Sequence, residues 1–260
     1  MSLSGAPGIT ACVIARDAAS QLTEVLPTLR WADEVLVIID AATSDNSAAI
    51  AQPLADRVEI RPFSSFPAFR NLALDLCAQP WTFFVDADER VSPRLAAEVR
   101  AAVEFAEASE VGQAPVGFWV PRHNIMFGRL IAGGGWAPDY QLRLVRRADA
   151  RFDEQRLVHE TADLAGPHAY LNERLLHLSY QSLTEFLAKQ HRYTAAEAAM
   201  NRALGVHYRR RALVGQPLRE FVRRYVLLHG WRDGPIGLYL CGAMAYFAFL
   251  RVRLTRAGTG

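Results

Sequence analysis

The most informative stretch of the chain is Trp81-Thr82-Phe83-Phe84-Val85-Asp86-Ala87-Asp88-Glu89. Its first half is short, apolar and rich in aromatic residues, which is typical of a strand buried on both faces of a sheet. Its second half is acidic and falls at the carboxyl end of that strand, the edge where open α/β sheets bind their ligands. The stretch therefore predicts a buried strand that carries carboxylates to a binding edge.

Short apolar runs alternate with amphipathic segments on both sides of this stretch. Such alternation predicts an α/β fold, in which helices cover a parallel sheet. The predicted strands are 9–15, 34–40, 58–61 and 81–85, and the predicted helices are 21–30, 48–54, 69–77 and 94–107. Irregular strands at 117–120 and 141–145 follow, and then helices at 183–204 and 218–228.

Length and composition favour one large α/β domain with a helical appendage. The chain has 260 residues, of which 51% are hydrophobic and 22% charged, and this composition excludes global disorder. Charge is unevenly distributed, because residues 201–260 hold eleven arginines against only Glu220 and Asp233. We therefore predict a domain at residues 1–180 and a basic helical extension at residues 181–260, each with different partners.

The cysteines and the N-terminus indicate the compartment. Cys12, Cys77 and Cys241 lie far apart in apolar runs without metal-binding or redox spacing, as small buried side chains do in a reducing environment. Residues 1–8 have neither the basic region nor the long apolar region of a signal peptide. We therefore expect the working part of the protein in the cytoplasm.

Polar side chains follow three of the predicted strands at the point where each strand ends. They are Arg16-Asp17, Asp40 and Asp86-Ala87-Asp88. Carboxylates that crowd together repel one another unless a cation lies among them, and Mg²⁺ or Mn²⁺ prefers such oxygen ligands. From spacing alone two interpretations stay open, a divalent metal site and a capped turn before the helix that starts near Pro93.

Six sequence blocks occur in a recognisable order along the chain. They are Trp31-Ala32-Asp33-Glu34-Val35 with Asp40, Phe69-Arg70-Asn71, Asp86-Ala87-Asp88-Glu89-Arg90-Val91, Gly134-Gly135-Trp136, Pro138-Asp139-Tyr140-Gln141-Leu142-Arg143-Leu144, and Val158-His159-Glu160. The blocks resemble the family 2 glycosyltransferases, in particular the branch of lipopolysaccharide core glucosyltransferases. The resemblance implies a GT-A type nucleotide-binding sheet with a D-x-D metal site, and transfer of a sugar from a nucleotide donor with inversion.

The resemblance also implies roles for residues of the donor site. Asp40 would hydrogen-bond a base of the uracil type, and Arg70 would lie in the nucleotide pocket. Asp86 would face the ribose or the metal ion. Asp88 would bind Mg²⁺ or Mn²⁺, which neutralises the diphosphate and stabilises the departing nucleoside diphosphate.

A general base for the acceptor hydroxyl is expected in the glycine-rich part of the resemblance. Asp139 is the candidate. It lies in a loop where Trp136 and Tyr140 can stack on a sugar and where glycines can let the loop close over the donor. The alternative for Asp139 is a turn residue after Pro138.

The last block adds two candidates, His159 as a metal ligand and Glu160 in the acceptor loop. Their alternative is a structural role. Two loops depart from the family pattern, because the first strand ends in Arg16-Asp17-Ala18 and the loop after Asp40 lacks its glycine. These departures keep open a catalytically inactive protein that binds nucleotide sugars or acts as a scaffold at a membrane.

The basic C-terminal region is predicted to contact a membrane. Arginines flank residues 235–250 on both sides, and this uncharged run of sixteen residues is shorter than the roughly 20 that span a bilayer. Surface attachment to anionic lipids is therefore favoured. Two alternatives stay open: the run docks as a core helix, or the arginines form a solvated face or a nucleic-acid patch, which the lack of an RNA-binding aromatic pattern disfavours.

These features predict an inverting glycosyltransferase that moves a sugar from a UDP-sugar or another nucleotide sugar to a hydroxyl group. The expected acceptor is a membrane-associated glycan that resembles the lipopolysaccharide core or is linked to lipid. We expect the enzyme at the inner face of the cytoplasmic membrane, as a peripheral protein without a nucleic-acid partner. A nucleotidyltransferase would share the sheet and the carboxylates, but it would consume a nucleoside triphosphate and release pyrophosphate.

Overall fold

A computed structural model describes residues 7–110, 112–155 and 161–257 of the chain. The chain divides into two compact units. Unit 1 comprises residues 1–122 and 140–177, and unit 2 comprises residues 123–139 and 178–260. Unit 2 therefore takes in a segment from the middle of the sequence, and the division into a domain of residues 1–180 and a helical extension of residues 181–260 stays a prediction.

The elements are numbered in chain order. The strands are β1 (Ile9–Ala15), β2 (Glu34–Asp40), β3 (Arg57–Arg61), β4 (Trp81–Asp86), β5 (Glu89–Arg90), β6 (Gly117–Met126), β7 (Arg129–Leu130), β8 (Tyr140–Arg146), β9 (Ala150–Phe152), β10 (Ala162–Leu164), β11 (His168–Tyr170) and β12 (Leu175–Tyr180). The α-helices are α1 (Ala19–Val25), α2 (Ser47–Ala51), α3 (Phe66–Leu76), α4 (Pro93–Ala108), α5 (Leu183–Ala203), α6 (Ala212–Val222) and α7 (Gly234–Ala257).

The sheet of unit 1 has the strand order β3-β2-β1-β4-β8-β6. Strand β1 pairs in parallel with β2 and β4, and β2 pairs in parallel with β3, whereas β8 runs antiparallel to β4 and β6. The predicted α/β class, with helices flanking a sheet, is confirmed, and the sheet is mixed rather than wholly parallel. Its parallel half brings the carboxyl ends of β1, β2 and β4 to one edge.

Both faces of this sheet are buried, as the continuous apolar strands predicted. Neighbouring residues of one strand belong to different cores, with Val13 and Phe83 on one side and Cys12 and Phe84 on the other. Helices α1 and α4 cover the first side, and α3 covers the second. The cysteines Cys12, Cys77 and Cys241 are buried free thiols, as predicted.

Most of the predicted helices agree to within three residues at each end, and the two larger differences each involve a proline. The helix predicted at 21–30 ends at Val25, and a 3₁₀ turn follows over Leu26–Leu29, because Pro27 has no N–H for an α-helical bond. The helix predicted from residue 218 begins at Ala212 instead, with Pro217 inside it, and it continues as a π-helical turn over Arg223–Leu227.

Helix α7 is the longest element of unit 2, with 24 residues. At 1.5 Å per residue it is about 36 Å long, longer than the run of residues 235–250 suggested. In the part of the chain that the structure describes, residues 230–257 are the one helical stretch long and apolar enough to span a bilayer, with a mean hydropathy of 1.4 over its most apolar 18 residues. One face of α7 packs into a core with Met126 and Phe186, through Leu240 and Phe247.

Candidate active site

The acidic end of β4 is held by an arginine from the apolar strand β8. Arg143 is almost fully buried, and its guanidinium donates hydrogen bonds to the carboxylates of Asp86 and Glu89. Glu89 is fully buried on β5, directly after the turn that follows β4. One cation therefore bridges two carboxylates that would otherwise repel each other, and it joins β4, β5 and β8.

Two further arginines complete this network. The guanidinium of Arg122 lies 3.3 Å from the Glu89 carboxylate, and that of Arg70 lies 3.7 Å from the Asp86 carboxylate. Burial by itself would raise the pKa of Asp86, but the charges of Arg143 and Arg70 outweigh it and hold that pKa well below its usual range. Burial raises the pKa of Glu89 in spite of its arginine partners. Arginine thus supplies the positive charge that the crowded carboxylates require.

Asp88 has a different environment from Asp86 and Glu89. Its Oδ2 atom lies 3.4 Å from Nε2 of His177 on β12, and the Asp88 side chain is 35% exposed. The helix that follows is capped by Ser92, whose hydroxyl accepts a hydrogen bond from the N–H of Leu95 at 3.1 Å. The acidic cluster is therefore not the cap of α4. A carboxylate oxygen and a neighbouring imidazole nitrogen can both serve as ligands of a divalent ion such as Mn²⁺.

Few side chains near Asp88 could act as metal ligands. Within residues 7–110, 112–155 and 161–257, no group of three or more His, Cys, Asp or Glu side chains lies close enough to enclose a metal ion. Two protein ligands fit a site that substrate phosphates complete, which is the usual arrangement for Mg²⁺ in phosphate chemistry. His159 and Glu160 lie outside the described residues, so their roles stay predictions.

Two other predicted donor-site residues, Asp40 and Arg70, lie in unit 1. Asp40 is buried at the end of β2, where it accepts hydrogen bonds from Arg16 at 3.0 Å and from the N–H of Ala42 at 2.9 Å. The guanidinium of Arg70 on α3 lies 5.0 Å from the ring centroid of Phe84. The structure thus pairs Asp40 with Arg16, from the neighbouring strand end, and Arg70 with Asp86.

Asp139 and Trp136 belong to unit 2. The side-chain amide of Asn124 donates to the Asp139 carboxylate at 3.0 Å and to the carbonyl oxygen of Trp136 at 2.7 Å. Asn124 is itself buried, and its side-chain oxygen accepts from the hydroxyl of Ser179 at 3.2 Å. Asp139 is therefore a carboxylate held in a defined orientation, as a general base requires.

Tyr140 lies in unit 1 and belongs to an exposed aromatic patch. Its ring meets the ring of Tyr170 edge-on at 5.3 Å, and Tyr170 stacks on Trp119 at 6.3 Å. Tyr140 is 41% exposed and Tyr170 is 58% exposed. Exposed aromatic rings of this kind combine apolar faces with polar edges, which suits contact with a sugar ring. One face of Trp136, by contrast, is covered by the guanidinium of Arg224 at 4.9 Å.

Sequence reasoning missed the side chains that organise this site. Arg143 and His177 each interrupt an apolar run, in Leu142-Arg143-Leu144 and Leu176-His177-Leu178. A charged or polar side chain inside a buried strand needs a partner, so each interruption was a usable signal. Arg122 and Asn124 gave no such signal, because they lie in the polar run Arg122-His123-Asn124.

Comparison with known proteins adds a family match. The profile of the family described as Glycosyl transferase family 2 matches residues 10–172. The lipopolysaccharide core biosynthesis glycosyltransferase LpsC of Rhizobium meliloti is 28% identical over 255 residues, which cover 93% of this chain and 89% of LpsC.

Two solved structures are similar over most of the chain. The mannosyltransferase PcManGT from Pyrobaculum calidifontis, solved with GDP-Man and Mn²⁺, is 14% identical with a TM-score of 0.49, and the match covers 98% of this chain and 75% of that one. TarS of S. aureus is 14% identical with a TM-score of 0.49, and the match covers 96% of this chain and 54% of TarS. This chain therefore spans about half the length of TarS.

Arg143→Ala tests the bridging cation. We expect the free energy of unfolding to fall by about 2–3 kcal/mol, because the fully buried Glu89 loses one of its two guanidinium partners and keeps only Arg122. The control Arg94→Ala removes an exposed arginine of α4 and should change it by less than about 0.5 kcal/mol. In an Asp86→Asn background the cost of Arg143→Ala should be smaller, because the two groups are coupled. Urea unfolding gives the free energy of unfolding of every variant. An equal loss on Arg143→Ala in the wild-type and Asp86→Asn backgrounds would contradict a bridge between Arg143 and Asp86.

Proposed function

The chain belongs to the family 2 glycosyltransferases, and from that premise we propose that it moves a sugar with inversion from a UDP-sugar, or another nucleotide sugar, to a hydroxyl of a membrane-associated glycan. The observation that carries the proposal is the pair of Asp88 and His177, whose side chains lie 3.4 Å apart beside the arginine-bridged cluster. The similarity to LpsC supports an acceptor that resembles the lipopolysaccharide core or is linked to lipid.

The donor is proposed to bind at the carboxyl edge of the unit 1 sheet. Asp40 would accept a hydrogen bond from the N–H of a uracil-type base. A carboxylate accepts about four hydrogen bonds, so the bonds from Arg16 and Ala42 leave it further acceptor capacity. Arg70 adds a guanidinium for the nucleotide, and the ionised Asp86 beside it would face the ribose or the metal ion.

Mg²⁺ or Mn²⁺ is the proposed cofactor. Asp88 and His177 would hold it, with His159 as the further ligand that the family resemblance implies. A divalent ion bound there neutralises the diphosphate and stabilises the departing nucleoside diphosphate. Because arginine already neutralises Asp86, Asp88 is the carboxylate of the cluster that we assign to the ion.

Asp139 is the proposed general base. Its carboxylate takes the proton of the acceptor hydroxyl while the hydroxyl oxygen forms a bond to the anomeric carbon. The bond between that carbon and the diphosphate oxygen breaks at the same time, and attack opposite the leaving group inverts the anomeric configuration. The hydrogen bond from Asn124 at 3.0 Å orients the carboxylate for this transfer.

The acceptor saccharide is proposed to contact exposed aromatic side chains. Tyr140 and Tyr170 are both exposed in the aromatic patch on unit 1. Trp136 and Glu160 are the further acceptor-loop residues that the resemblance implies. Trp136 is partly buried between Arg224 and the core of unit 2, and the exposed part of its ring is the part proposed to meet a sugar.

Asp88→Asn and Asp139→Asn separate metal binding from proton transfer. Thermal unfolding with UDP and Mn²⁺ reports binding, and nucleoside diphosphate release from a panel of UDP-sugars and GDP-mannose, with a lipopolysaccharide core oligosaccharide as acceptor, reports turnover. Asp88→Asn should abolish the rise in Tm, which reflects ligand binding to the native state. Asp139→Asn should keep that rise and lower kcat about a hundredfold or more, as loss of a general base does.

The control for both variants is Glu104→Gln, which neutralises an exposed carboxylate of α4 and should leave both readouts unchanged. Wild-type kcat in Asp139→Asn would exclude that residue as the base. Donor binding by the wild-type protein without turnover of any donor would instead support an inactive nucleotide-sugar-binding protein. Release of pyrophosphate from a nucleoside triphosphate would support a nucleotidyltransferase.

Membrane attachment is proposed through an amphipathic surface of unit 2, on α6 and the turns that follow it. Its exposed apolar side chains are Val214, Leu218, Val222, Leu227 and Trp231. Its exposed arginines are Arg210, Arg211, Arg219, Arg223 and Arg232. Each arginine near an anionic bilayer contributes about 1 kcal/mol, while the apolar side chains enter the interface. The enzyme would then lie at the inner face of the cytoplasmic membrane, where it meets a lipid-linked acceptor.

Leu218→Glu tests this surface. Cosedimentation with phosphatidylglycerol vesicles should be strong for the wild-type protein and should weaken as salt screens the charges. Leu218→Glu should weaken binding about tenfold or more, a loss of about 1.4 kcal/mol, because it puts an anion into the interface. The control Leu183→Glu changes a leucine that is 44% exposed on α5 and should bind as the wild type does. Equal binding to neutral phosphatidylcholine vesicles would contradict the proposal.

A further inference from the structure

Residues 132–139 form the loop that carries the proposed base, and we call it the base loop. Its first residues are hydrogen-bonded to the C-terminal helical region. The carboxylate of Asp233 accepts hydrogen bonds from the N–H groups of Ala132 and Gly133, both at 2.8 Å. Asp233 lies 100 residues after Gly133 in the sequence. Because each oxygen of one carboxylate binds one of two adjacent peptide groups, the pair fixes the direction in which the chain enters the base loop.

Arg224 holds the middle of the base loop. Its Nη1 atom donates to the carbonyl oxygen of Gly134 at 2.6 Å, and its guanidinium carbon lies 4.9 Å from the ring centroid of Trp136. Its Nε atom donates to Glu220 at 2.6 Å, which orients the guanidinium. A planar guanidinium suits both contacts, since it presents several N–H donors while its face stacks on an aromatic ring.

Arg224 is less exposed than the arginines of the amphipathic surface. Its side chain is 16% exposed, whereas that of the neighbouring Arg223 is 46% exposed. Both arginines donate to Glu220 of α6, but Arg224 also donates to the backbone of the base loop and is turned away from solvent.

The backbones of the base loop and of the C-terminal region also approach closely. Gly134 and Gly135 have φ angles of +65° and +85°, in the left-handed region that favours glycine. A Cβ at Gly133 would clash with the carbonyl oxygen of His229, and a Cβ at Gly135 would lie 3.0 Å from Cδ1 of Leu228. The glycines of the base loop therefore serve close packing and a tight turn, which leaves little space for a second arrangement of the loop.

The constraint extends from Trp136 to Asp139 through one side chain. The amide of Asn124 donates to the carbonyl oxygen of Trp136 at 2.7 Å and to the Asp139 carboxylate at 3.0 Å. A shift of Trp136 would therefore displace one of the two acceptors of Asn124. The orientation of Asp139 depends in this way on how the first half of the base loop is held.

We propose that Arg224 and Asp233 are positioning residues of the sugar transfer, which hold the base loop so that Asp139 presents its carboxylate in one orientation. The inference rests on the proposed role of Asp139 as the general base. It makes the C-terminal helical region a part of the catalytic apparatus rather than an appendage that only attaches the enzyme to a surface.

The test compares Arg224→Ala, Arg224→Lys and Asp233→Asn with the control Arg192→Ala, which removes an exposed arginine of α5. The full chain is assayed for nucleoside diphosphate release with the donor panel and the soluble oligosaccharide acceptor. Arg224→Ala and Asp233→Asn should lower kcat about tenfold to a hundredfold, because misplacement by 1 Å costs that much, with donor KM changed by less than about twofold. Arg224→Lys should recover part of kcat, since its ammonium can still donate to Gly134.

Hydrogen exchange gives a readout that does not depend on turnover. The amides of Ala132 and Gly133 should exchange about tenfold faster in Asp233→Asn than in Arg192→Ala, because one acceptor oxygen remains for two N–H groups. Unchanged exchange would overturn the inference. Faster exchange with wild-type kcat, or a raised donor KM with wild-type kcat, would overturn it as well.

Failure of the proposed function has a different signature. In that case Asp139→Asn itself keeps wild-type kcat, whatever the Arg224 variants do. A hundredfold loss in Asp139→Asn together with wild-type kcat in Arg224→Ala and Asp233→Asn would leave the base assignment intact and contradict the positioning role alone. If Arg224→Ala does not fold, Arg224→Lys and Asp233→Asn decide the result.

Discussion

The guanidinium of Arg143 is the group on which the acidic edge of unit 1 depends. It bridges Asp86 and the fully buried Glu89, and so joins three strands, β4, β5 and β8. Without this cation the two carboxylates would repel each other, and the fully buried Glu89 would keep Arg122 as its one remaining guanidinium partner among the described residues. The cluster is therefore an arginine-bridged network, and Asp88, beside His177, is the carboxylate that we assign to a divalent ion.

Much of the fold followed from the sequence, and the site followed in part. The alternation of apolar runs and amphipathic segments predicted the strands and the flanking helices, and the strand ends predicted where the acids lie. Sequence spacing could not predict that Arg143, 57 residues after Asp86, bonds to it, because that contact depends on strand order. The helix predicted from residue 218 begins six residues earlier, at Ala212, and so includes Pro217, although proline inside a helix removes a backbone hydrogen bond.

The C-terminal helical region combines two proposed tasks. The outer side of α6 carries exposed valine, leucine and arginine side chains that suit an anionic lipid surface. The segment around Arg224 and Asp233 binds the backbone of the base loop. Membrane attachment and the orientation of Asp139 would therefore share one structural element, so that truncation of this region would affect both.

The choice between Asp88 and Asp86 as the carboxylate that binds the metal ion decides how the nucleotide-sugar site works. Titration of Mn²⁺ in the presence of UDP, followed by electron paramagnetic resonance of the free ion, tests that choice on the wild type, Asp86→Asn and Asp88→Asn. We predict that Asp88→Asn raises the Kd for Mn²⁺ by at least about tenfold, a loss of about 1.4 kcal/mol, while Asp86→Asn changes it by less than about threefold. A Kd that rises in Asp86→Asn and stays unchanged in Asp88→Asn would contradict the assignment of Asp88 to the ion.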